Sequence, residues 1–213
     1  MDSPDFASQR NALVDRLARR ENLSEPVEAA MRAVPREEFV PDSRRTDAYA
    51  DRPLPIGEGQ TVSAPHMVAM MAEELDVGAG DRVLEIGTGC GYHAAVTAEL
   101  VGPSNVFSVE YVRSLALATE RRLARLGYGE IRLRQGDGHA GWPENAPYDA
   151  AYLTCAARSF PDAVIDQVRV GGTLLGPLGS GSQWLVRAEK RPDGSLDRER
   201  LSRVRFVPMQ GEA

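Results

Sequence analysis

Glycines at 87, 89 and 91, spaced G-x-G-x-G between the apolar run Val83-Leu84-Glu85-Ile86 and a segment able to continue as a helix, are the residues of this chain best suited to hold a nucleoside cofactor. Glycine removes the side chain where backbone must bend sharply or approach a ligand. Glu110 ends the next apolar segment nineteen positions after Gly91, where a carboxylate accepts hydrogen bonds from two ribose hydroxyls. A dinucleotide-binding turn more often reads G-x-G-x-x-G, with its third glycine inside the helix. Here that glycine comes one residue early and the acidic Glu85 precedes the first one, a pattern that favours S-adenosylmethionine over NAD and leaves a nicotinamide oxidoreductase as the rival.

Further candidates follow from where ligands sit in open α/β sheets, beyond the carboxyl ends of the strands at the switch in strand order. That rule selects Gly87 to Tyr92, Glu110, Gly136-Asp137-Gly138 and Thr154-Cys155-Ala156. Asp137 suits an adenine amino group, which needs an acceptor; between two glycines it equally suits a turn. Cys90 and Cys155 form no C-x-x-C pair, and His66, His93 and His139 lack the i, i+4 spacing of a helical metal site, so no metal is implied. Cys90 reads most simply as a small residue in a tight loop.

The elements that must position these residues alternate along the chain. Leu13 and Leu17 mark a first helix, and Ser24 is placed to cap a second that runs from Glu25 until Pro35 stops it. Residues 41–66 lack periodicity and are rich in Pro and Gly, a length of irregular chain that is usually functional or disordered. Beyond them the pattern predicts helices over 67–75, 93–101, 113–126 and 161–168, and strands over 82–86, 105–109, 131–135, 148–154 and 173–178. A terminal antiparallel pair follows, at 183–190 and 201–209, flanking Asp193-Gly194. Such alternation gives a doubly wound, mostly parallel α/β sheet with helices on both faces and an antiparallel C-terminal strand pair.

At 213 residues and 42% hydrophobic content the chain suits one well-buried core, read as a single domain over 1–213 with a helical and loop region over 1–66 and a Rossmann-like core over 67–213. No run of eighteen apolar residues exists, and Met1-Asp2-Ser3-Pro4-Asp5 lacks the basic and apolar regions of a signal peptide, so a cytoplasmic protein without a membrane partner is expected. A net charge of −6 argues against nucleic acid as the principal partner, although a local basic patch is compatible with it. Of 25 basic residues Lys190 is the only lysine, a skew that fits a GC-rich genome or an acidic, lysine-poor proteome.

Four segments together resemble the protein-L-isoaspartate O-methyltransferase family: Arg36-Glu37-Glu38-Phe39-Val40-Pro41, the stretch from Ile56 to Met67, the loop from Glu85 to Tyr92, and Val204-Arg205-Phe206-Val207-Pro208. The glycine loop is shared by many methyltransferases. Gly57-Glu58-Gly59-Gln60-Thr61-Val62-Ser63-Ala64-Pro65-His66 is similar to this family's own substrate loop and is the more specific signal.

The resemblance implies a seven-stranded methyltransferase sheet and a protein-repair reaction. A methyl group passes from S-adenosylmethionine to the free α-carboxylate of an L-isoaspartyl residue, leaving S-adenosylhomocysteine, and the ester closes to a succinimide that hydrolyses partly to aspartate. Carried over by position, Glu85, Gly87, Thr88, Gly89, Glu110, Tyr111, Gly136, Asp137, Gly138 and Thr154 would hold the cofactor. Ser63 would bind the acceptor carboxylate, in a pocket shaped by Ile56, Thr61, Val62, His66, Val207 and Pro208. The expected partners are isoaspartyl-containing proteins and peptides, met by a monomer. Ser63 has a blander reading as the cap of the helix beginning near His66. If the family's strand order holds, Cys90 and Cys155 emerge at the cofactor end and approach each other. A methyltransferase with another carboxylate acceptor and a non-catalytic binding module are the remaining alternatives.

Overall fold

The computed structural model describes residues 5–212; residues 1–4, over which the signal-peptide reading falls, lie outside them, as does residue 213. Helix α1 (Phe6–Glu21) starts at Asp5, whose carboxylate accepts the Ser8 N–H at 3.0 Å, and it buries Leu13, Val14 and Leu17. Helix α2 (Glu25–Ala33) carries Pro26 in its first turn and buries Val27, Ala30 and Met31. Ser24 stands at its N-cap but makes no capping bond. Its N–H and hydroxyl instead donate to Glu73, at 2.8 and 2.9 Å, so the expected cap is a tie to the third helix.

Residues 41–66 are more ordered than their pattern suggests. A 3-10 turn covers Asp42–Asp47, and a hairpin joins β1 (Leu54–Gly57) to β2 (Gln60–Val62). Gly57, Glu58 and Gly59 all take left-handed backbone, with φ of 95°, 53° and 70°, which turns the chain within three residues. The strands are too short and too rich in glycine and proline to show alternation.

Strand and helix then alternate: α3 (Pro65–Leu75), β3 (Val83–Ile86), α4 (Tyr92–Val101), β4 (Val106–Glu110), α5 (Arg113–Arg125), β5 (Arg132–Gln135), β6 (Tyr148–Leu153), α6 (Asp162–Gln167), β7 (Val168–Leu178), β8 (Gln183–Lys190) and β9 (Leu196–Val204). The sheet has seven strands in the order β5-β4-β3-β6-β7-β8-β9. The first five strands pair in parallel and the last two are antiparallel.

Two apolar clusters cover its faces. One joins α1 to α4 with Val83, Tyr152 and Leu185; the other gathers Leu84, Ile86, Phe107, Tyr148, Val164 and Leu174. Burying a leucine such as Leu84 or Leu174 contributes roughly 1.5–3 kcal/mol over leaving it exposed. The last strand departs from expectation. The tight turn at Asp193-Gly194 sets Lys190 opposite Leu196, so the polar stretch Asp197-Arg198-Glu199-Arg200 joins the sheet and the chain after Val204 leaves it.

Strand order reverses at β3, which pairs with β4 on one side and β6 on the other. Register sets Ile86 level with both Val109 and Leu153, so Gly87, Glu110 and Thr154 reach the same rim.

Candidate active site

At that rim the β3 strand breaks into the glycine loop. Gly87 has φ of +99°, and a Cβ there would lie 2.5 Å from the Thr154 hydroxyl, itself donated to the Gly87 carbonyl. Backbone and Thr154 therefore meet with no room for a side chain. The Glu110 carboxylate accepts the Gly89 N–H at 2.7 Å and the Val112 N–H at 2.9 Å. A carboxylate offers about four lone-pair sites, so these two bonds leave capacity for two hydroxyl donors.

Above the loop lies a cleft of about 520 Å³, counted out to its open mouth. Ile86, Gly87, Gly89 and Glu110 form its floor, with Tyr111, Gly138 and Thr154 at its sides. Gln60 and Thr61 from the hairpin, and Val207 to Gln210 from the C-terminal segment, close it. A nucleoside thioether fits such a cradle: close-approach glycine backbone, a carboxylate with free lone pairs, and apolar walls.

A second cleft of about 660 Å³ adjoins the first. Ser63, Ala64, His66 and Met67 line it from the start of α3, with Pro53, and Arg203 to Val207 face them. Thr61, Thr154 and Val207 belong to both clefts and form their common wall. Helix α3 begins at Pro65 after Ala64 as N-cap, without a side-chain capping bond, so Ser63 does not cap it. Asp51 fixes His66: one carboxylate oxygen accepts both the His66 N–H at 2.9 Å and the ring Nδ1 at 2.8 Å, and the other accepts from Arg20 at 3.0 Å. Partial burial works against ionisation of Asp51, but the bonds from His66 and Arg20 outweigh it and hold the carboxyl below its ordinary range.

Several expected residues sit elsewhere. Glu85 does not face the cleft; strand alternation turns it toward α4, where it is fully buried. It accepts the Tyr152 hydroxyl at 2.9 Å and the Ser108 hydroxyl, and Ser108 is 2.6 Å from Thr88. Burial pushes its carboxyl up to about 8, so near neutral pH it is an uncharged support beneath the loop. Thr88 belongs to that buried chain and lies outside the cleft lining. The Asp137 carboxylate bonds the His139 N–H and ring and the Glu212 N–H. Burial opposes its ionisation, and those bonds outweigh it and lower its pKa. It and Gly136 stand behind the cleft while Gly138 lines it. Val62 is in the core, Ile56 ends 3.3 Å from where a Cβ on Gly89 would lie, and Pro208 borders the first cleft and not the second.

Cys155, selected with Thr154 at the end of the fourth parallel strand, does line the first cleft; other lining residues were not anticipated: Val112, Met209 and Gln210 in the first cleft, Pro53, Arg203 and Phe206 in the second, and Asp51 behind His66. Reading 201–209 as one strand hid those after Val204. The two thiols, expected to approach each other, belong to different apolar clusters. Cys90 packs into the α4-side cluster and Cys155 against the other, both are free, and burial raises both pKa values, that of Cys155 to about 12. Among the described residues no three His, Cys, Asp or Glu side chains gather as a metal-binding group.

The family model described as Protein-L-isoaspartate(D-aspartate) O-methyltransferase (PCMT) matches residues 8–213. Protein-L-isoaspartate O-methyltransferase 2 of Archaeoglobus fulgidus is 49% identical over 209 residues, covering 98% of this chain and 95% of that one. The Methanothermobacter thermautotrophicus protein-L-isoaspartate O-methyltransferase is 47% identical over 207 residues, with 96% and 95% covered. A solved protein-L-isoaspartate O-methyltransferase superposes with a TM-score of 0.86 at 31% identity, over 95% of this chain and 66% of that longer one. A Plasmodium falciparum structure titled as a putative member, in complex with S-adenosyl-L-homocysteine, shares the fold at a TM-score of 0.81 and 23% identity, over 94% of this chain and 98% of that one.

Proposed function

The chain belongs to the protein-L-isoaspartate(D-aspartate) O-methyltransferase family, and from that premise we propose that its two adjoining clefts divide donor from acceptor. The enzyme methylates the free α-carboxylate of L-isoaspartyl residues in damaged proteins with S-adenosyl-L-methionine as donor, and the ester returns through a succinimide to aspartate. The donor cleft is the one floored by Gly87, Gly89 and Glu110, and the acceptor cleft is the one lined by Ser63 and His66. The observation that carries this division is that Thr61, Thr154 and Val207 line both clefts, which sets the two side by side.

When bound, the donor supplies a methyl group already electrophilic on its sulfonium. An acceptor carboxylate, with a reference pKa of about 3.9, is ionised at neutral pH, so no residue here has to remove a proton. The chain's task is alignment and exclusion of water, worth up to roughly 7–11 kcal/mol when reacting atoms are well oriented. Ser63 donates its hydroxyl to one carboxylate oxygen and leaves the other free to attack. His66, pinned through Nδ1 by Asp51, presents a fixed wall. Glu110 would hold the ribose with the lone pairs that Gly89 and Val112 leave, Gly138 and Tyr111 would contact the nucleoside from the sides of the cleft, and Glu85, Thr88, Gly136 and Asp137 brace the loops from behind.

The same reading makes the chain one domain over 1–213 and a cytoplasmic monomer, with neither nucleic acid nor membrane as partner. Its support is the α1-to-α4 cluster continuous with the sheet, the net charge of −6, and the absence among the described residues of a helix long and apolar enough to cross a membrane. Methylation of an isoaspartyl peptide beside its normal-aspartyl twin tests the acceptor: strong preference for the isomerised peptide is expected, and equal rates would contradict repair.

A further inference from the structure

Strand β9 carries its charges sorted by face. Register pairs Arg198 with Ala188, Arg200 with Val186 and Arg203 with Trp184, placing the three arginines on the face of Val186 and Ala188. Regular alternation would send Arg203 to the opposite face from Arg200. A bulge at Leu201, between the Val186–Arg200 and Leu185–Ser202 pairs, adds one residue and restores the phase. Asp197 and Glu199, opposite Glu189 and Arg187, point to the other face, where Arg187 bonds the Glu74 carbonyl of α3.

Trp184 anchors the row, with Arg203 5.3 Å and Arg200 5.7 Å from its ring centroid. Such stacking limits the freedom of both guanidinium groups. Arg158 joins Arg198, Arg200 and Trp184 around an open groove of about 1180 Å³, and Arg203 and Arg205 continue the row into the acceptor cleft beside Ser63. All five arginines are exposed, and none has a carboxylate within ion-pair distance among the described residues. Asp162, in the neighbouring cleft that Arg158 also lines, forms no ion pair with it. In a chain of net charge −6, a continuous unpaired cationic row leading out of the acceptor cleft is a local reversal of sign.

The geometry points to this row as a docking track for acidic polypeptide flanking the isoaspartyl residue, so that the enzyme selects damaged sites beside clustered Asp and Glu. This rests on the acceptor-cleft assignment above. Because the bulge takes up one residue, Arg200 and Arg198 lie two and four strand positions from Arg203, roughly 7 and 13 Å at about 3.3 Å per residue, which matches acidic residues about two to four positions beyond the one that meets Arg203. Guanidinium forks bind carboxylates bidentately, and exposed charges steer association in a salt-dependent way.

The test compares isoaspartyl peptides of one length with a run of glutamates on the N-terminal side, on the C-terminal side, or replaced by serine and glutamine. One acidic peptide is expected to exceed the neutral one about tenfold in kcat/KM at low salt, an advantage lost near 0.5 M salt. The R198E/R200E double variant, altered outside both clefts, should lose that advantage and still methylate the neutral peptide within about twofold of the unaltered enzyme. Fluorescence anisotropy of the acidic tail without isoaspartate reports on the row whether or not methyl transfer occurs. No acidic preference and no tail binding, a preference that survives the double reversal, or selective capture of a duplex oligonucleotide in place of the tail would overturn the track. Failure to methylate any isoaspartyl peptide while the tail still binds would instead overturn the acceptor assignment.

Discussion

On the donor side of the wall formed by Thr61, Thr154 and Val207, the recognition groups are mostly backbone and strand ends; on the acceptor side they are side chains on a hairpin, a helix start and the C-terminal segment. The donor cleft stands on three neighbouring parallel strands whose carboxyl ends are level, so sheet register alone aligns Gly87, Glu110 and Thr154. The acceptor cleft joins residues near 51–67 to residues near 203–207, and depends on Asp51 holding His66 and on the chain leaving β9 at Val204. A cofactor of constant shape suits a rigid cradle, and an acceptor embedded in many different proteins suits an open groove with few fixed contacts.

Damage confined to one cleft should leave the other working, which gives ways to break this division. The largest effect is expected from Gly87→Ala: a Cβ 2.5 Å from the Thr154 hydroxyl, at φ of +99°, forces the loop out of place. S-adenosylhomocysteine affinity by calorimetry should fall by about 100-fold or more, with strain of about 1–3 kcal/mol in the loop itself. Glu110→Gln should weaken the same ligand about 10- to 100-fold by removing charge-assisted bonds, with little change in the KM for peptide. Ser63→Ala should reverse the pattern, lowering kcat/KM for an isoaspartyl peptide about tenfold while calorimetry with S-adenosylhomocysteine stays unchanged.

The last effect concerns stability and leaves both clefts unchanged. Glu85 has its pKa raised by burial from 4.5 to about 8, so the folded state keeps a proton that the unfolded chain gives up. Its contribution is therefore present below pH 4.5 and is lost as pH rises toward 8. Glu85→Gln should flatten the decline in Tm across that window, a difference of a few kcal/mol at most. His93, whose pKa burial lowers to about 3, acts with the opposite sign from pH 3 up to 6.5, so the variant must be compared with the unaltered protein at each pH. Equal pH profiles would mean that Glu85 ionises freely beneath the loop.

The same contrast governs what could be read from residues alone. The apolar run of Val83 to Ile86, the glycine loop and Glu110 lie within one βαβ stretch, where local pattern and tertiary position coincide, so the sheet and the residues that meet at its rim were legible. For Glu85 the residues alone do not separate holding the cofactor from fixing the loop, since the strand is buried on both faces; only the Tyr152 hydroxyl that it accepts places it behind the loop. The Gly57-Glu58-Gly59 hairpin was missed because its short strands carry no alternation. The C-terminal strand was displaced because Leu201 to Met209 alternate better than Leu196 to Val204, and hairpin register outweighed that preference. Asp51 left no local mark, since its meaning depends on His66 folding back to meet it.

A structure with both S-adenosylhomocysteine and an isoaspartyl peptide bound tests the division of labour most directly. The thioether sulfur is expected above Gly87 and Gly89, the ribose on Glu110, and the peptide's free α-carboxylate on Ser63, facing the sulfur across Thr61, Thr154 and Val207. A carboxylate seated away from Ser63, or a thioether bound outside the Gly87–Glu110 cleft, would contradict it.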